Sequence, residues 1–219
     1  MNNNFSHSEE NYLKSIYLLE LSFSKVSTNL LAEKLNARPA SITDMMKKLS
    51  AKKLLHYKPY YGFHLTTEGK KIAIGVIRRH RLWEFFLAQK LGFDWNEVHN
   101  LAEELEHVSS KKLIDKLDEY LGFPEHDPHG DPIPDSRGRI KTIDKILLSE
   151  LPENQSAEIC QVSIQSEEML DILKHKQIEI GSKVIIKKRF PFDGSLELRT
   201  KQFTFSISQE LAMSLYVKK

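Results

Sequence analysis

The stretch that decides the fold is Ser27-Thr28-Asn29-Leu30-Leu31-Ala32-Glu33-Lys34-Leu35, Asn36-Ala37-Arg38, then Pro39-Ala40-Ser41-Ile42-Thr43-Asp44-Met45-Met46-Lys47-Lys48-Leu49-Ser50-Ala51-Lys52. Leu30, Leu31 and Leu35 face inward on a first short helix. Ile42, Met45, Met46 and Leu49 return at steps of three and four on a second. Pro39 stands where a first helical residue tolerates proline. Two short helices joined by a tight turn make the helix-turn-helix pattern. Outward from it, Leu54–Lys58 and Phe63–Thr66 read as strands around Pro59-Tyr60-Tyr61-Gly62, a hairpin in the position of a wing. On the other side, Ser8–Leu19 reads as a helix with Ser8 as N-cap and Glu9 and Glu10 in its first turn. Tyr12, Leu13, Ile16, Tyr17 and Leu19 form its inner face, and Glu20 marks its solvent edge.

In a winged helix-turn-helix the second helix of the pair enters the major groove. Arg38, Ser41, Thr43 and Asp44 lie near its start, within reach of base edges. Lys47, Lys48, Lys52, Lys53 and Lys58 are placed for phosphate contacts, which position without specifying. The charge balance agrees. Residues 1–79 hold thirteen Lys and Arg against six Asp and Glu, and residues 94–131 hold three against eleven. The first third suits a polyanion and the middle third suits cations.

The middle third carries the metal-ligand chemistry. Glu68 to about Lys90 reads as one long helix with a broad apolar surface, and His80 and Glu84 on it are related as i, i+4. Asp94 caps a helix containing Val98-His99-Asn100-Leu101-Ala102-Glu103-Glu104-Leu105-Glu106-His107-Val108. At about 100° per residue, His99, Glu103, Glu106 and His107 share one stripe. Imidazoles and carboxylates together are donors a divalent metal wants. A further helix runs from Ser109 or Ser110 to Leu121. Helices this apolar need a partner, and a homodimer is the economical one.

Asp127-Pro128-His129-Gly130-Asp131-Pro132-Ile133-Pro134-Asp135 reads as a rigid linker; His126 and His129 are candidate metal ligands, with a solvated loop the preferred reading. Beyond Leu148 the pattern changes to strands at Ala157–Val162, Lys183–Lys187 and Leu196–Arg199. Ser166 to about Lys174 is a short helix, and Asp193-Gly194 is a turn. The expected fold is mainly α with a β C-terminal domain: winged helix-turn-helix at 1–72, helical metal-binding and dimerisation domain at 73–141, small SH3-like β-barrel at 142–219.

With 219 residues and 40% of them hydrophobic, the chain can build two or three cores. No apolar run approaches the ~20 residues of a membrane span, and Met1-Asn2-Asn3-Asn4 does not read as a signal peptide. The single Cys160 excludes an intramolecular disulfide and fits a reducing cytoplasm. Glu104-Leu105-Glu106-His107 contains the Glu-x-x-His of di-iron carboxylate bundles, but the second copy such an enzyme needs is missing. Neither His-Glu-x-x-His, a P-loop nor a nucleophile elbow is present, and no small-molecule substrate is indicated.

Taken together, the winged helix, Arg79-His80-Arg81-Leu82-x-Glu84, Val98-His99-x3-Glu103-x2-Glu106-His107 and His129-Gly130-Asp131-Pro132-Ile133-Pro134 resemble the metal-dependent repressors related to the diphtheria toxin repressor and the manganese transport regulator. The resemblance covers about residues 6–136 well. It implies a primary metal site of Glu103, Glu106 and His107, completed by Asn11 of the first helix. It implies an ancillary site of His80, Glu84 and His99, helped by Gln165 and Glu168 of an SH3-like domain related to the FeoA type. Iron-type relatives place a cysteine at Glu103 and a methionine at Asn11. The glutamate is a harder ligand and favours Mn²⁺, with Fe²⁺ as the alternative. Some manganese-type relatives carry a further carboxylate where Lys14 stands, so a closely spaced two-metal cluster is not expected. The implied protein is a cytoplasmic, homodimeric, metal-activated repressor that binds operator DNA and controls metal uptake.

Overall fold

The computed structural model describes residues 5–58, 62–95, 97–163 and 166–219. Its contacts divide the chain into two units. The first comprises Met1–His80, Glu103–Leu117 and Pro134–Arg139, and the second comprises Arg81–Ala102, Asp118–Ile133 and Ile140–Lys219.

In the first unit, α1 (His7–Ser22) begins with a capping box built on Ser6. The Ser6 hydroxyl accepts from the Glu9 amide, and the Glu9 carboxylate accepts from the Ser6 amide at 3.0 Å. Ser8, the expected cap, lies inside the helix, because only Ser6 has a glutamate three residues on. The helix pair follows as α2 (Thr28–Lys34), capped by Ser27, and α3 (Pro39–Ala51), with Pro39 in its first turn. The wing is β1 (Leu55–Lys58) paired antiparallel with β2 (Gly62–Leu65). Val26 bridges to Phe63 on its far side. Gly62 takes φ +87°, and a side chain there would come within 2.7 Å of the Val26 carbonyl, so glycine is required. Leu13, Ile16, Leu31, Ile42, Met46, Leu49 and Phe63 are fully buried together. Each contributes on the order of 1.5–3 kcal/mol by leaving water. Glu20, expected at a solvent edge, instead accepts from the Leu65 amide at 2.7 Å and ties α1 to the wing.

The long helix α4 (Thr67–Leu91) is capped by the Thr66 hydroxyl, and α5 (Val98–Leu105) and α6 (Lys111–Tyr120) follow. The helix expected through Val108 ends at Leu105, so Glu106 and His107 form the turn beyond it. The Arg79 guanidinium donates to the Glu106 carbonyl and satisfies a helix-end acceptor.

The second unit contains β3 (Ile146–Leu147), β4 (Ser156–Val162), α7 (Glu167–His175), β5 (Lys183–Arg189), β6 (Leu196–Arg199), β7 (Thr204–Ile207), α8 (Gln209–Met213) and β8 (Leu215–Lys218). The strands form one antiparallel sheet in the order β3-β8-β4-β5-β6-β7. Ser166 caps α7 as expected. The Asp193-Gly194 turn joins β5 to β6, with Gly194 at φ +72°. The expected small barrel is not formed: among the described residues β3 and β7 remain the sheet's two edges. Two residues of β3 offer too short a ladder to close it. The core gathers Leu148, Leu151, Ile159, Leu173, Val184, Ile186, Leu198, Leu215 and Val217. Among the described residues no helix is long and apolar enough to cross a membrane.

The proline-rich segment is no free linker. The Val162 amide donates to the His129 carbonyl at 2.9 Å, so the segment is anchored to β4. Gly130, at φ +84°, lies where any side chain would meet the Cys160 carbonyl. His129 is fully buried and Asp127 nearly so, which overturns the reading of this loop as solvated.

Candidate metal centres and DNA-reading surface

In the first unit one face of α1 carries His7, Glu10, Asn11 and Lys14, related by helical steps of three and four. Glu10 places one carboxylate oxygen 2.6 Å from His107 Nδ1 and the other 2.9 Å from the Arg79 guanidinium. The His7 ring stacks on His107 with centroids 4.2 Å apart. Lys14 Nζ lies 2.8 Å from the Glu106 carboxylate and 3.4 Å from Glu103 Oε1. His80 Nδ1 is 2.7 Å from Glu106 Oε2. Glu106 is wholly buried. Burial alone would raise its pKa, but the His80 hydrogen bond and the charges of Lys14 and His80 outweigh that and lower it.

Glu103, Glu106 and His107 are therefore brought together, as expected, and α1 meets them. The Asn11 Oδ1 atom is buried and has no hydrogen-bond partner among the described residues. An orphaned carbonyl-type oxygen is costly unless something else uses it. The Glu103 and Glu106 carboxylates, the His107 imidazole and an amide oxygen of this kind are donor types that a divalent cation accepts. Sequence reasoning missed Glu10. Its signal was present: it lies on the helical stripe that runs from His7 to Lys14.

The second unit holds another cluster. Glu84, Asp127 and His129 are all buried, and one ligand atom from each lies within 4.8 Å of the others. His99 Nδ1 is 3.1 Å from Glu84 Oε1. His129 Nε2 lies 2.9 Å from the Trp95 carbonyl, a partner that can only accept, so Nε2 carries the proton. His129 Nδ1 is then a bare lone pair, buried and without a hydrogen-bond partner among the described residues, 3.9 Å from Glu84. A backbone partner that fixes the tautomer is the usual support for a ligating imidazole. Burial, together with the nearby charges of Asp131 and Glu84, pushes the Asp127 pKa well above the usual carboxylate range. A cation here would relieve that repulsion. Asp127 was not expected in a site, and His129 was set aside in favour of a solvated loop, because their approach to Glu84 depends on the loop's anchorage to β4. Gln165 lies outside the described residues, and Glu168 is exposed on the first turn of α7.

On the DNA-reading side, Arg38, Ser41, Asp44, Lys47 and Lys48 are exposed along α3, and Thr43 is half-buried with its hydroxyl bonded to the Pro39 carbonyl. Lys47 pairs loosely with Asp44 at 3.6 Å. Lys48 and Lys52 reach back to Glu9 of α1 at 3.2 and 2.6 Å. The Lys58 side chain lies outside the described residues.

Comparison with known proteins matches this architecture piece by piece. Residues 4–63 match the iron dependent repressor N-terminal DNA binding domain, residues 66–135 the iron dependent repressor metal binding and dimerisation domain, and residues 146–219 the FeoA domain. A manganese-dependent transcriptional repressor solved in complex with manganese is 31% identical over 95% of this chain and 98% of its own, with a TM-score of 0.88. ScaR with bound Cd²⁺ is 31% identical over 96% and 99%, TM-score 0.80. The manganese regulator SloR is 28% identical over 96% and 98%, TM-score 0.78. The chain belongs to the iron-dependent repressor family of metal-dependent transcriptional repressors. Within that family its fold is similar over nearly the whole chain to that of the manganese-dependent repressor solved with manganese.

Proposed function

We propose that this protein is a Mn²⁺-activated repressor that binds operator DNA as a homodimer in the cytoplasm and controls metal-uptake genes. The observation that carries this reading is the meeting of Glu103 and Glu106 with Lys14, and of His107 with Glu10, on the face of α1 that also carries Asn11 and its orphaned oxygen. The donors are oxygen and nitrogen with no sulfur, a set that suits Mn²⁺. Fe²⁺ accepts the same donors and is the second reading, favoured by the iron-dependent profile of residues 66–135.

The functional regions we assign are 1–72 for DNA, 73–141 for metal and dimerisation, and 142–219 for the FeoA-type domain. A bound cation supplies fixed positive charge that joins donors from α1 and from the Glu103–His107 segment. Those residues then hold α1, and through it α3, in one position. Arg38, Ser41, Thr43 and Asp44 would meet base edges, and Lys47, Lys48 and Lys58 phosphates. Activation requires the DNA-competent arrangement to bind the cation more tightly than the alternatives do. We assign a second, ancillary centre to Glu84, Asp127 and His129, with His99 alongside and His80 one turn earlier on α4. Gln165 and Glu168 are the FeoA-domain residues we propose to assist it. We assign the protein no catalytic reaction, small-molecule substrate or membrane partner.

The test is fluorescence anisotropy on duplex DNA from upstream of this gene and of nearby metal-transporter genes, at fixed salt, titrating Mn²⁺ and, anaerobically, Fe²⁺. Binding should rise with Mn²⁺ and vanish with chelator. His107→Ala should abolish the metal response while leaving the dimer intact by light scattering. Metal-independent binding of equal strength would overturn the proposal, and a stronger response to Fe²⁺ would transfer it to iron.

A further inference from the structure

We infer that the first unit holds a binding cavity for a small organic phosphate, with Lys71 and Arg137 taking the phosphate and the open face of α4 at Gly75 receiving the organic part. The inference does not depend on the metal reading, since no residue assigned to either metal centre is asked to bind the phosphate ester.

The cavity has a volume of about 630 Å³ and lies among the first half of α4, the start of α6 and the turn at 135–138, all within the first unit. That is the size of pockets that take small organic ligands. Lys71, Ile74, Gly75 and Arg78 follow one another on α4 at steps of three and four and so share one face. The buried Ile114 of α6 adds a second apolar wall. The turn rests directly on α4, because a side chain on Gly138 would come within 3.3 Å of Ile74 Cγ2. Its neighbour Arg137 is thereby brought to the cavity that Lys71 also lines.

Six cationic side chains line this cavity against two carboxylates, Asp115 and Asp135, and the charges do not cancel locally. Asp135 is occupied by its own turn. It accepts from the Arg137 and Arg139 amides at 2.8 and 2.9 Å and from the Arg139 guanidinium, which does not line the cavity, at 2.7 Å. Asp115 serves both Lys111 at 3.0 Å and Arg78 at 3.4 Å. Lys70 is answered by Glu20 at 3.2 Å and Arg79 by Glu10 at 2.9 Å. Lys71 and the Arg137 side chain are left with no carboxylate partner among the described residues. Two unmatched positive charges suit a phosphate monoester, which carries about two negative charges at neutral pH. The guanidinium can also take two of its oxygens at once.

Gly75 argues for an organic group behind the phosphate. Glycine is unfavourable in a helix interior. A side chain here would meet nothing nearer than Arg79 Nη1 at 3.8 Å, so packing does not require its absence. What glycine provides is room beside Ile74, where a planar or apolar group lies between the two isoleucines.

The test is calorimetric titration of the full-length protein at fixed ionic strength, without metal or DNA, using AMP, glycerol phosphate, inorganic phosphate and adenosine as probes. AMP should bind about tenfold or more tighter than inorganic phosphate or adenosine. Glycerol phosphate binding tighter than AMP would keep the site and change the organic group from a planar base to a polyol. The double variant Lys71→Gln, Arg137→Gln should weaken binding of the preferred ester by about tenfold or more. Gly75→Leu, which fills the cavity and leaves every charge in place, should erase the ester's advantage and bind inorganic phosphate as the wild type does. If Gly75→Leu fails to fold, the double variant at two exposed positions decides. A merely solvated basic face predicts equal, weak binding of both esters and inorganic phosphate. That result overturns the proposal, as does ester binding unchanged in the double variant or in folded Gly75→Leu. DNA binding of the double variant supplies the other alternative. If its DNA affinity and salt dependence both fall while the wild type prefers neither ester, the two cations serve DNA phosphates and the proposal is wrong.

Discussion

At the scale of single residues, Asn11 makes the sharpest statement. Its buried Oδ1 atom has no hydrogen-bond partner among the described residues, which is unfavourable in the metal-free protein and favourable once a cation arrives. Asn11→Leu and Asn11→Asp should therefore move two properties in different ways. Asn11→Leu removes the orphaned acceptor, so the metal-free protein should keep or gain thermal stability, while Mn²⁺ affinity falls about tenfold, ~1.4 kcal/mol. Asn11→Asp brings a full charge next to Glu10 on a face of α1 already rich in carboxylates. It should destabilise the metal-free protein by about 1 kcal/mol and tighten Mn²⁺ binding by about tenfold or more. Melting curves with and without Mn²⁺, together with calorimetric titration, read both. A parallel loss of stability and of affinity in Asn11→Leu would contradict a ligand role. The sequence showed Glu103, Glu106 and His107 because they are donor types at helical spacing, whereas Asn11 came only from the resemblance to the metal-dependent repressors. Glu10 was read only as a first-turn glutamate favourable to the helix dipole, since its partners His107 and Arg79 are far away in the chain. Asp127 was hidden for the same reason, and nothing in the sequence joined His129 to Glu84: three donors from two distant segments show no periodicity.

At the scale of elements, the connection between α1 and α3 runs through Glu9. This carboxylate is almost fully buried, closes the capping box with Ser6, and receives Lys52 at 2.6 Å and Lys48 at 3.2 Å. Burial alone would raise its pKa. The Lys52 hydrogen bond, the Ser6 amide and the Lys48 contact outweigh burial and bring the pKa down from 4.5 to about 2. A carboxylate whose pKa is lower in the folded state stabilises the fold above its unfolded value and loses that contribution as pH falls through the folded one. Glu9→Gln should thus cost about 1–2 kcal/mol at neutral pH, allowing for solvent screening of the half-exposed lysines. The difference from wild type should shrink as pH is lowered from about 4.5 towards 2. Urea unfolding at several pH values measures it, and a pH-independent difference would assign the loss to the cap alone. Because Glu9 adjoins Glu10 and Asn11, the same variant should weaken the coupling of metal to DNA binding without lowering the ion count. The helix boundaries show where sequence pattern stops being informative. The caps Ser27, Thr66 and Ser166 and the Pro39 start were legible, because each is a local hydrogen bond or a fixed φ. The end of α5 at Leu105 was not, because Arg79, Lys14, His80 and Glu10 hold Glu106 and His107 outside the helix from other elements.

At the scale of the whole molecule, the two clusters lie in different units and should be separable. Glu103, Glu106, His107 and α1 belong to the first, and Glu84, His99, Asp127 and His129 to the second. The winged helix was legible because its order of elements is local, and so were the strands of the second unit. Closure of the sheet was not, since a barrel and an open sheet share the same alternating pattern and differ only in whether edge strands find each other. The loop at Asp127–Ile133 was misread as solvated because proline and glycine signal turns without saying what a turn rests on. Here it rests on β4, through the Val162 amide and the close approach of Gly130 to Cys160. That anchorage gives the last prediction. His129→Ala removes the lone pair facing Glu84 but leaves the Val162 bond to the residue 129 carbonyl, so the loop should stay in place. The variant should lose one Mn²⁺ per subunit by equilibrium dialysis. Its DNA affinity at saturating Mn²⁺ should fall by less than about tenfold, because the centre that grips α1 is intact. His107→Ala should lose the DNA response altogether. If His129→Ala silences DNA binding as fully as His107→Ala does, the two centres act as one switch, and the assignment of control to the first is wrong. If it loses no ion, the buried lone pair is a structural imidazole held by Trp95, and the second cluster is no metal centre.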